Sequence, residues 1–559
     1  MKSLLAVSIG PVQEFIAAAR RTSDLWCGSE MLSDISRKVA EKVRGFGGNL
    51  IFPADPEKGA ANIIFAELPG NLNVKEIADK AKETANDCWR TSADDVFKKY
   101  SGQIRRNIWD TQIKDALELY CAWVQYDDDN NGYQKARKRV MQLLSARKSL
   151  RDFSQNIGGE GLPKSSLDGR RESVLSLNKS QKIPGVKDNE ELCALGLTKR
   201  IRGMEKKYPP ISRIAADPYI RKVKNKNNEE FEIFKEAVAT VAPFKIKSDV
   251  YQDFPYDGDF LFIDRYSAMT KENEGLTDDN INSLKKALKA LYDKFGQPFP
   301  YFAIIKADGD GMGKAISDKK TAEEHRKFSR ALAEFSNGVG DIVTEYKGVT
   351  VYAGGDDVFA FLPLDNALEC AREIRESFVK KMNPEKMNPL TLSVGMAIGH
   401  FMDPLEDLRR YAEEAERAAK NVQGKDALAI AVHARSGAPF TIKGKWGKNL
   451  DEDIMKWARF FEAGRLPNKF PYDLRQLALS FRYRKHDSLE SYKEQLVAEI
   501  KVLLKRKGSI KDDVLTAVND ACGKISCAED IISLSEEMLT AQWIAFDIDD
   551  GKDEREGDK

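Results

Sequence analysis

The stretch from Tyr301 to Val432 constrains the fold most, because its segments follow one another in a fixed order and each carries a clear period. YFAIIKAD (301–308) is an apolar strand, a helical pattern runs over about 320–345, and the strands VTVYA (349–353) and VFAFLP (358–363) flank the turn Gly354-Gly355-Asp356-Asp357. A helical pattern over 365–380, the strand TLSVGMAIG (391–399), a helix over 405–421 and the strand ALAIAV (427–432) complete the order. This β-α-β-β-α-β sequence with a further αβ unit predicts an α+β, ferredoxin-like domain: an antiparallel sheet with helices on one face.

The chain opens on a looser version of the same plan. SLLAVSI (3–9) reads as a buried strand that breaks at Gly10-Pro11 and feeds a helix in which Val12, Phe15, Ile16 and Ala19 recur at helical spacing. A hairpin (50–52 and 62–66), a long polar helix and a strand at 119–125 follow, so the chain holds two copies of one domain. Residues 153–175 are a Gly/Ser/Arg-rich connection, 222–230 a charged loop, 450–545 a helical region poor in Gly and Pro, and 547–559 a charged, disordered tail. The expected domains are 1–152, 153–297 (a connection and helical linker), 298–440 and 441–559.

Lysine plus arginine (89) nearly cancels aspartate plus glutamate (88), so any surface for nucleic acid is local. The seven cysteines form no C-x-x-C pair, which excludes a disulfide framework and suits a reducing cytoplasm. The apolar run 4–9 is too short for a membrane span of about 20 residues, so no membrane association is expected.

Asp-Asp doublets also begin at 94, 127, 278, 512 and 549, where a solvated turn suffices to explain them. The doublet at 356 differs, since it sits between two strongly apolar strands. Neighbouring strand residues face opposite ways, but glycine reaches φ > 0 at little cost and lets Asp356 and Asp357 address one metal cluster. Asp308, ending the strand before the hairpin, supplies a third carboxylate. Oxygen donors with open positions suit Mg²⁺ or Mn²⁺ and disfavour zinc. Two such ions, roughly 4 Å apart, activate a hydroxyl and offset charge on a leaving pyrophosphate. The reading is nucleotidyl transfer on a nucleoside triphosphate.

Gly309-Asp310-Gly311 precedes a helix, and its backbone N–H groups are candidates for holding triphosphate oxygens. Lys420 and Lys425, at the end of the 405–421 helix, either reach the same phosphates or simply complement a helix C-terminus.

SIGPVQEFIAAARRTSDLW, IIKADGDGMGKAI, VYAGGDDVFAFLP and YAEEAERAAKNVQGKDALAI together resemble the large polymerase-cyclase subunit of type III-B (Cmr) CRISPR effector complexes. The resemblance implies two adenylyl-cyclase-like palm domains, the second bearing GGDD, with a helical linker and a helical C-terminal domain. It implies ATP as substrate for cyclic oligoadenylate synthesis in antiviral defence, with guide RNA, target RNA and the other Cmr subunits as partners. Asp308, Asp356 and Asp357 are then the metal ligands, and Gly354 and Gly355 shape the turn. The first palm is expected to be catalytically silent and to face the second across an ATP site, with Ser8 and Gln13 as contacts.

Two departures from the family pattern are expected. The chain has only His325, His400, His433 and His486, so the HD nuclease centre of many members is not predicted. Of four zinc-finger positions, Ser165, Asp168 and Gly196 replace cysteine and Cys193 alone remains; structural zinc, which needs four ligands, is not expected.

Three rival readings remain open. Some HD-less relatives join ATP to S-adenosylmethionine, and a free-standing diguanylate cyclase would use a similar turn but leaves SIGPVQ unexplained. A non-enzymatic scaffold would have no reason to keep three like charges together. The basic runs 135–140, 199–207 and 482–485 are candidates for RNA contact or ordinary solvated faces.

Overall fold

The computed structural model describes residues 1–59, 61–127, 131–150, 161–176, 183–206, 208–226, 229–272, 276–383, 389–448, 450–482, 490–505, 511–526 and 528–545. Its strands form two sheets. β1 (Lys2–Gly10), β2 (Asn49–Phe52), β3 (Ile63–Pro69) and β4 (Glu118–Tyr126) pair antiparallel in the order β2-β3-β1-β4. β5 (Tyr301–Asp310), β6 (Val349–Gly354), β7 (Asp357–Leu362), β8 (Thr391–His400), β9 (Ala427–Val432) and β10 (Phe440–Lys445) pair in the order β10-β9-β8-β5-β7-β6. The order β6-β7-β5-β8 repeats that of the first sheet, and the intervening helices repeat too. Val12–Ala17 and Thr22–Gly45 after β1 correspond to Met312–Ser317 and Ala322–Glu345 after β5. Likewise Gly132–Ser149 after β4 corresponds to Leu405–Lys420 after β8.

The second sheet departs from expectation in two ways. β8 and β9 run parallel, and helices cover both faces. Ala303, Ile305, Val358 and Ala360 pack towards Phe335 and Phe378, while Phe302, Ile304, Phe359 and Phe361 pack towards Leu405, Leu408 and Ala412. Nearly continuous apolar strands such as VFAFL require burial on both sides, each large side chain gaining about 1.5–3 kcal/mol. The sheet also runs past residue 440, because Phe440–Lys445 pairs antiparallel with β9. The helices that follow, from Leu450 to Ala545, share the core of this sheet.

The two palms meet reciprocally. Trp26, on the long helix of the first palm, donates its indole N–H to the carbonyl of Thr350 on the edge strand β6 at 2.5 Å. Arg326, on the matching helix of the second, donates Nε to the carbonyl of Leu50 on the edge strand β2 at 2.9 Å. Edge carbonyls that would otherwise face solvent are thus capped from across the interface.

Between the palms lies a helical linker with its own aromatic core of Phe231, Phe234, Phe254 and Phe260. It is tied to the second palm by Arg221 on Asp365 (2.9 Å) and by the Tyr251 hydroxyl on the Lys347 carbonyl (2.7 Å), at the end of the sheet opposite the Gly354–Asp357 turn. Among the described residues no helix is long and apolar enough to cross a membrane.

Candidate active site

The β6–β7 hairpin closes with Gly354 opposite Asp357, leaving Gly355 and Asp356 as the turn. Gly355 has φ +65°, whereas Asp356 is not among the residues with positive φ. A left-handed first position alone is the pattern of a II′ turn, which favours glycine there.

Strand alternation distributes the acids. Ala307 lies opposite Val358, so one step outward sets Asp308 beside Asp357. On the other side Asp308 pairs with Ser393 of β8. Lys306 and Asp308 share the face covered by the helix Leu405–Lys420. Asp356 turns the other way, against the backbone of β5: a Cβ added at Gly309 would stand 2.9 Å from both Cβ and Oδ2 of Asp356. The Gly309 backbone N–H lies near enough to that carboxylate to favour its charged form. Burial and the negative charge of Asp357 push Asp356 up to about 6, with the Gly309 N–H opposing.

Asp308 is ion-paired with Lys420, whose ammonium also approaches Glu416 at 3.5 Å. Glu416 in turn meets Lys306 at 3.4 Å. Burial, with Lys425 and Lys306 nearby, pushes Lys420 down to about 8. Lys425 itself is exposed, with φ +51°, just beyond that helix. Glu416 and Lys306 were not singled out from the sequence. The i,i+4 spacing of Glu416 and Lys420, and the i,i+2 spacing of Lys306 and Asp308, are the signals that place them together.

The Gly309–Gly311 segment differs from the expected phosphate loop. β5 continues through Asp310, with Asp308, Gly309 and Asp310 paired to Ser393, Leu392 and Thr391. Asp310 is buried and accepts from the hydroxyls of Thr391 (2.9 Å) and Ser393 (2.8 Å) and from the Asp426 N–H (3.1 Å). It therefore joins three strand ends and does not present itself to a nucleotide. Only Gly311, exposed at φ +74°, forms the turn into the helix Met312–Ser317.

Among the described residues no group of three or more His, Cys, Asp or Glu stands ready to hold a metal ion, and Asp308 is drawn onto Lys420 instead. The donor chemistry nevertheless fits a hard divalent cation. Asp308, Asp356 and Asp357 offer oxygen alone, the donor type such a cation takes.

The first palm shows what these acids replace. Gly10 and Asp310 both lie opposite the first residue of the neighbouring strand (Glu118, Thr391), so Ser8 occupies the register of Asp308. Ser8 faces Ile63 where Asp308 has Asp357 alongside. Ser8 is buried within its sheet, and Gln13 is exposed on the helix Val12–Ala17.

Of the histidines, His325 is buried with Nδ1 2.7 Å from the Tyr133 hydroxyl, and burial with nearby arginines and Lys319 pushes it down to about 4. His433 stacks on Tyr411, His400 packs on Phe401, and His486 lies outside the described residues. At the degenerate finger, Ser165, Asp168 and Gly196 do gather near Cys193. The Gly196 N–H donates to Cys193 Sγ at 3.4 Å, and Ser165 and Asp168 both act on that thiol. Nearby, fully buried Arg200 joins Asp24 and Glu190, each at 2.7 Å.

The basic runs are only partly surfaces. Lys199 donates to the Phe15 carbonyl at 2.7 Å, and Lys199, Arg200 and Arg137 are all buried. Residues 207 and 483–485 lie outside the described residues.

Residues 301–429 match the family model described as Cas10/Cmr2, second palm domain, and residues 4–58 match that of CRISPR-associated protein Cmr2, N-terminal. The chain is 26% identical over 553 residues to the CRISPR system Cmr subunit Cmr2 of Pyrococcus furiosus, an alignment covering 79% of this chain and 63% of that relative's length. It is 25% identical over 201 residues to the subtype III-A single-strand-specific deoxyribonuclease Cas10/Csm1 of Streptococcus thermophilus, covering 36% of this chain and 24% of that protein. Its fold is similar to that of a chain in the apo type III-B Cmr-beta complex, with TM-score 0.67 and 14% identity, covering 98% of this chain and 82% of that one.

Proposed function

We propose, from the membership of this chain in the Cmr2 family of type III-B large subunits, that its GGDD turn converts ATP to cyclic oligoadenylates when an effector complex holds target RNA. The observation that carries this reading is the register of Asp308 beside Asp357, with Asp356 packed against Gly309 at the same strand end. In the first palm, the matching positions are Ser8 and Ile63, which leaves one acidic centre per pair of palms.

In this reading the 3′-hydroxyl of one adenylate attacks the α-phosphorus of another. The bond to the β-phosphate breaks, pyrophosphate departs, and a final intramolecular attack closes the ring. Asp308, Asp356 and Asp357 would hold divalent ions, whose chemistry would be to offset charge on the phosphates. Lys420, ion-paired with Asp308 and 3.5 Å from Glu416, would supply positive charge to the phosphates together with Lys306 and Lys425. Glu416 keeps both lysines oriented. Guide RNA, target RNA and the other Cmr subunits are the partners of this reading; a second similar structure is that of type III-B Cmr-beta bound to cognate target RNA.

The test is mass spectrometry of products from the assembled complex with target RNA, ATP and Mg²⁺ or Mn²⁺, with and without S-adenosylmethionine. Cyclic oligoadenylates that vanish in Asp356→Ala/Asp357→Ala support the reading. No nucleotide product, or an unchanged yield in the double variant, refutes it.

A further inference from the structure

The first palm has Ser8 and Ile63 where the second has Asp308 and Asp357, yet it reaches the acidic centre of the second through a route made of named contacts. Its helix Gly132–Ser149 lies against the segment that follows β5. Arg137, buried, donates Nη1 to the carbonyl of Ile316, and Gln134 donates to the carbonyl of Ser317 at 2.9 Å. These carbonyls end the helix Met312–Ser317; that of Ile316 also accepts from the Lys319 N–H at 3.2 Å, so the guanidinium joins the turn that closes the helix.

That helix has six residues and is therefore about 9 Å long. A cation holding its last turn also sets where its first residue lies. That residue, Met312, is buried, and a Cβ added at Gly309 would stand 2.8 Å from Met312 Cγ. Asp356 also packs on Gly309, its Cβ and Oδ2 both 2.9 Å from where that added Cβ would stand. Arg137, Ile316, Met312, Gly309 and Asp356 thus form a contiguous physical path from one palm to the other.

Arg137 is an expensive way to make an ordinary interface. A guanidinium out of water needs several partners, and here Nε has no hydrogen-bond partner. Its wide fork placed on a helix-end carbonyl makes sense as a fixed stop.

We propose that Arg137 is a positioning residue for the nucleotidyl-transfer centre: by pinning the end of the helix Met312–Ser317 it holds Met312 against Gly309 and so fixes Asp356. This inference rests on the function proposed above. The silent palm then has a task in the reaction besides offering a surface for nucleotide.

Two substitutions separate a positioning role from mere packing. Arg137→Met keeps the apolar stem and removes the donor, whereas Arg137→Lys keeps a donor. In the assembled complex, Arg137→Met is expected to lower kcat for ATP roughly ten- to a hundredfold with KM within about twofold, and Arg137→Lys to recover most of the rate. Gln134→Ala, a milder change at the neighbouring carbonyl, is expected to cost about two- to threefold. Hydrogen exchange of segment 309–317 in the full chain reads the same contact without turnover: Arg137→Met speeds it about tenfold, and Arg137→Lys does not.

Equal rates for Arg137→Met and wild type, equal defects in the Met and Lys variants, or unchanged exchange in Arg137→Met would each overturn the proposal. Wild-type complex that makes no nucleotide product sinks the catalytic reading and the positioning role together. Wild-type turnover with an indifferent Arg137→Met sinks the positioning role alone.

Discussion

Replacing Asp356 with asparagine should make the metal-free protein more stable while abolishing its activity. Burial and the charge of Asp357 raise Asp356 from the ordinary 3.8 to about 6, so the folded state tolerates this carboxylate at a cost. A shift of roughly two units corresponds to at most about 3 kcal/mol at neutral pH, and partial exposure to water reduces this to about 1–2 kcal/mol. Asparagine keeps an oxygen near the Gly309 N–H, so relief of charge is the main change. The pKa is higher folded than unfolded, so wild-type stability falls as pH rises from about 4 to about 6 and the full cost is present above that. The advantage of Asp356→Asn should therefore be greatest near pH 7.5, drop to about half by pH 5, and fall to about a fifth by pH 4. Thermal unfolding in EDTA across that range is the assay, with an expected gain of a few degrees for the palm at pH 7.5. Adding Mg²⁺ or Mn²⁺ should then raise the melting temperature of wild type more than that of the variant. A variant no more stable than wild type at pH 7.5, or an advantage independent of pH, would refute the electrostatic account.

Gly309→Ala should cut nucleotidyl transfer on the order of a hundredfold, because its methyl group would press on Asp356 Oδ2 and Met312; steady-state kinetics with ATP checks this. Arg200→Met should destabilise the first palm and finger by roughly 3–5 kcal/mol, since Asp24 and Glu190 are left buried and unpaired; adding Asp24→Asn and Glu190→Gln should restore much of it, as read by limited proteolysis. Lys420→Met should weaken ATP binding yet leave Asp308 free of its cation, so Mn²⁺ affinity measured by titration should hold or rise while KM for ATP climbs several-fold.

The placement of Asp308 beside the GGDD turn was legible because strand alternation and a two-residue turn are local properties of YFAIIKAD and YAGGDDVF. What escaped depends on distant partners. Asp310 reads as part of a glycine-rich loop until Thr391 and Ser393, some eighty residues on, bring their hydroxyls to it. Lys199 and Arg200 read as a basic surface because their acceptors, the Phe15 carbonyl and Asp24, come from the opening helices of the chain. Phe440–Lys445 reads as polar because only one side of that edge strand is buried, with Ile442 facing the core. Cover on both faces of the second sheet was visible in the unbroken apolar runs, but the ferredoxin-like pattern argued for one.

The reciprocal caps, Trp26 on Thr350 and Arg326 on Leu50, bear on how such a molecule can be switched. These two contacts are related by the internal repeat and stand beside those of Tyr133, Gln134 and Arg137 with the second palm, so a hinge that opened one cap would have to break its counterpart as well. A body fastened at both symmetric points resists swinging but permits small sliding of helix over strand. Any signal arriving from elsewhere on the chain would then reach the acidic turn as a shift of fractions of an ångström within a closed pair of palms, and not as their separation.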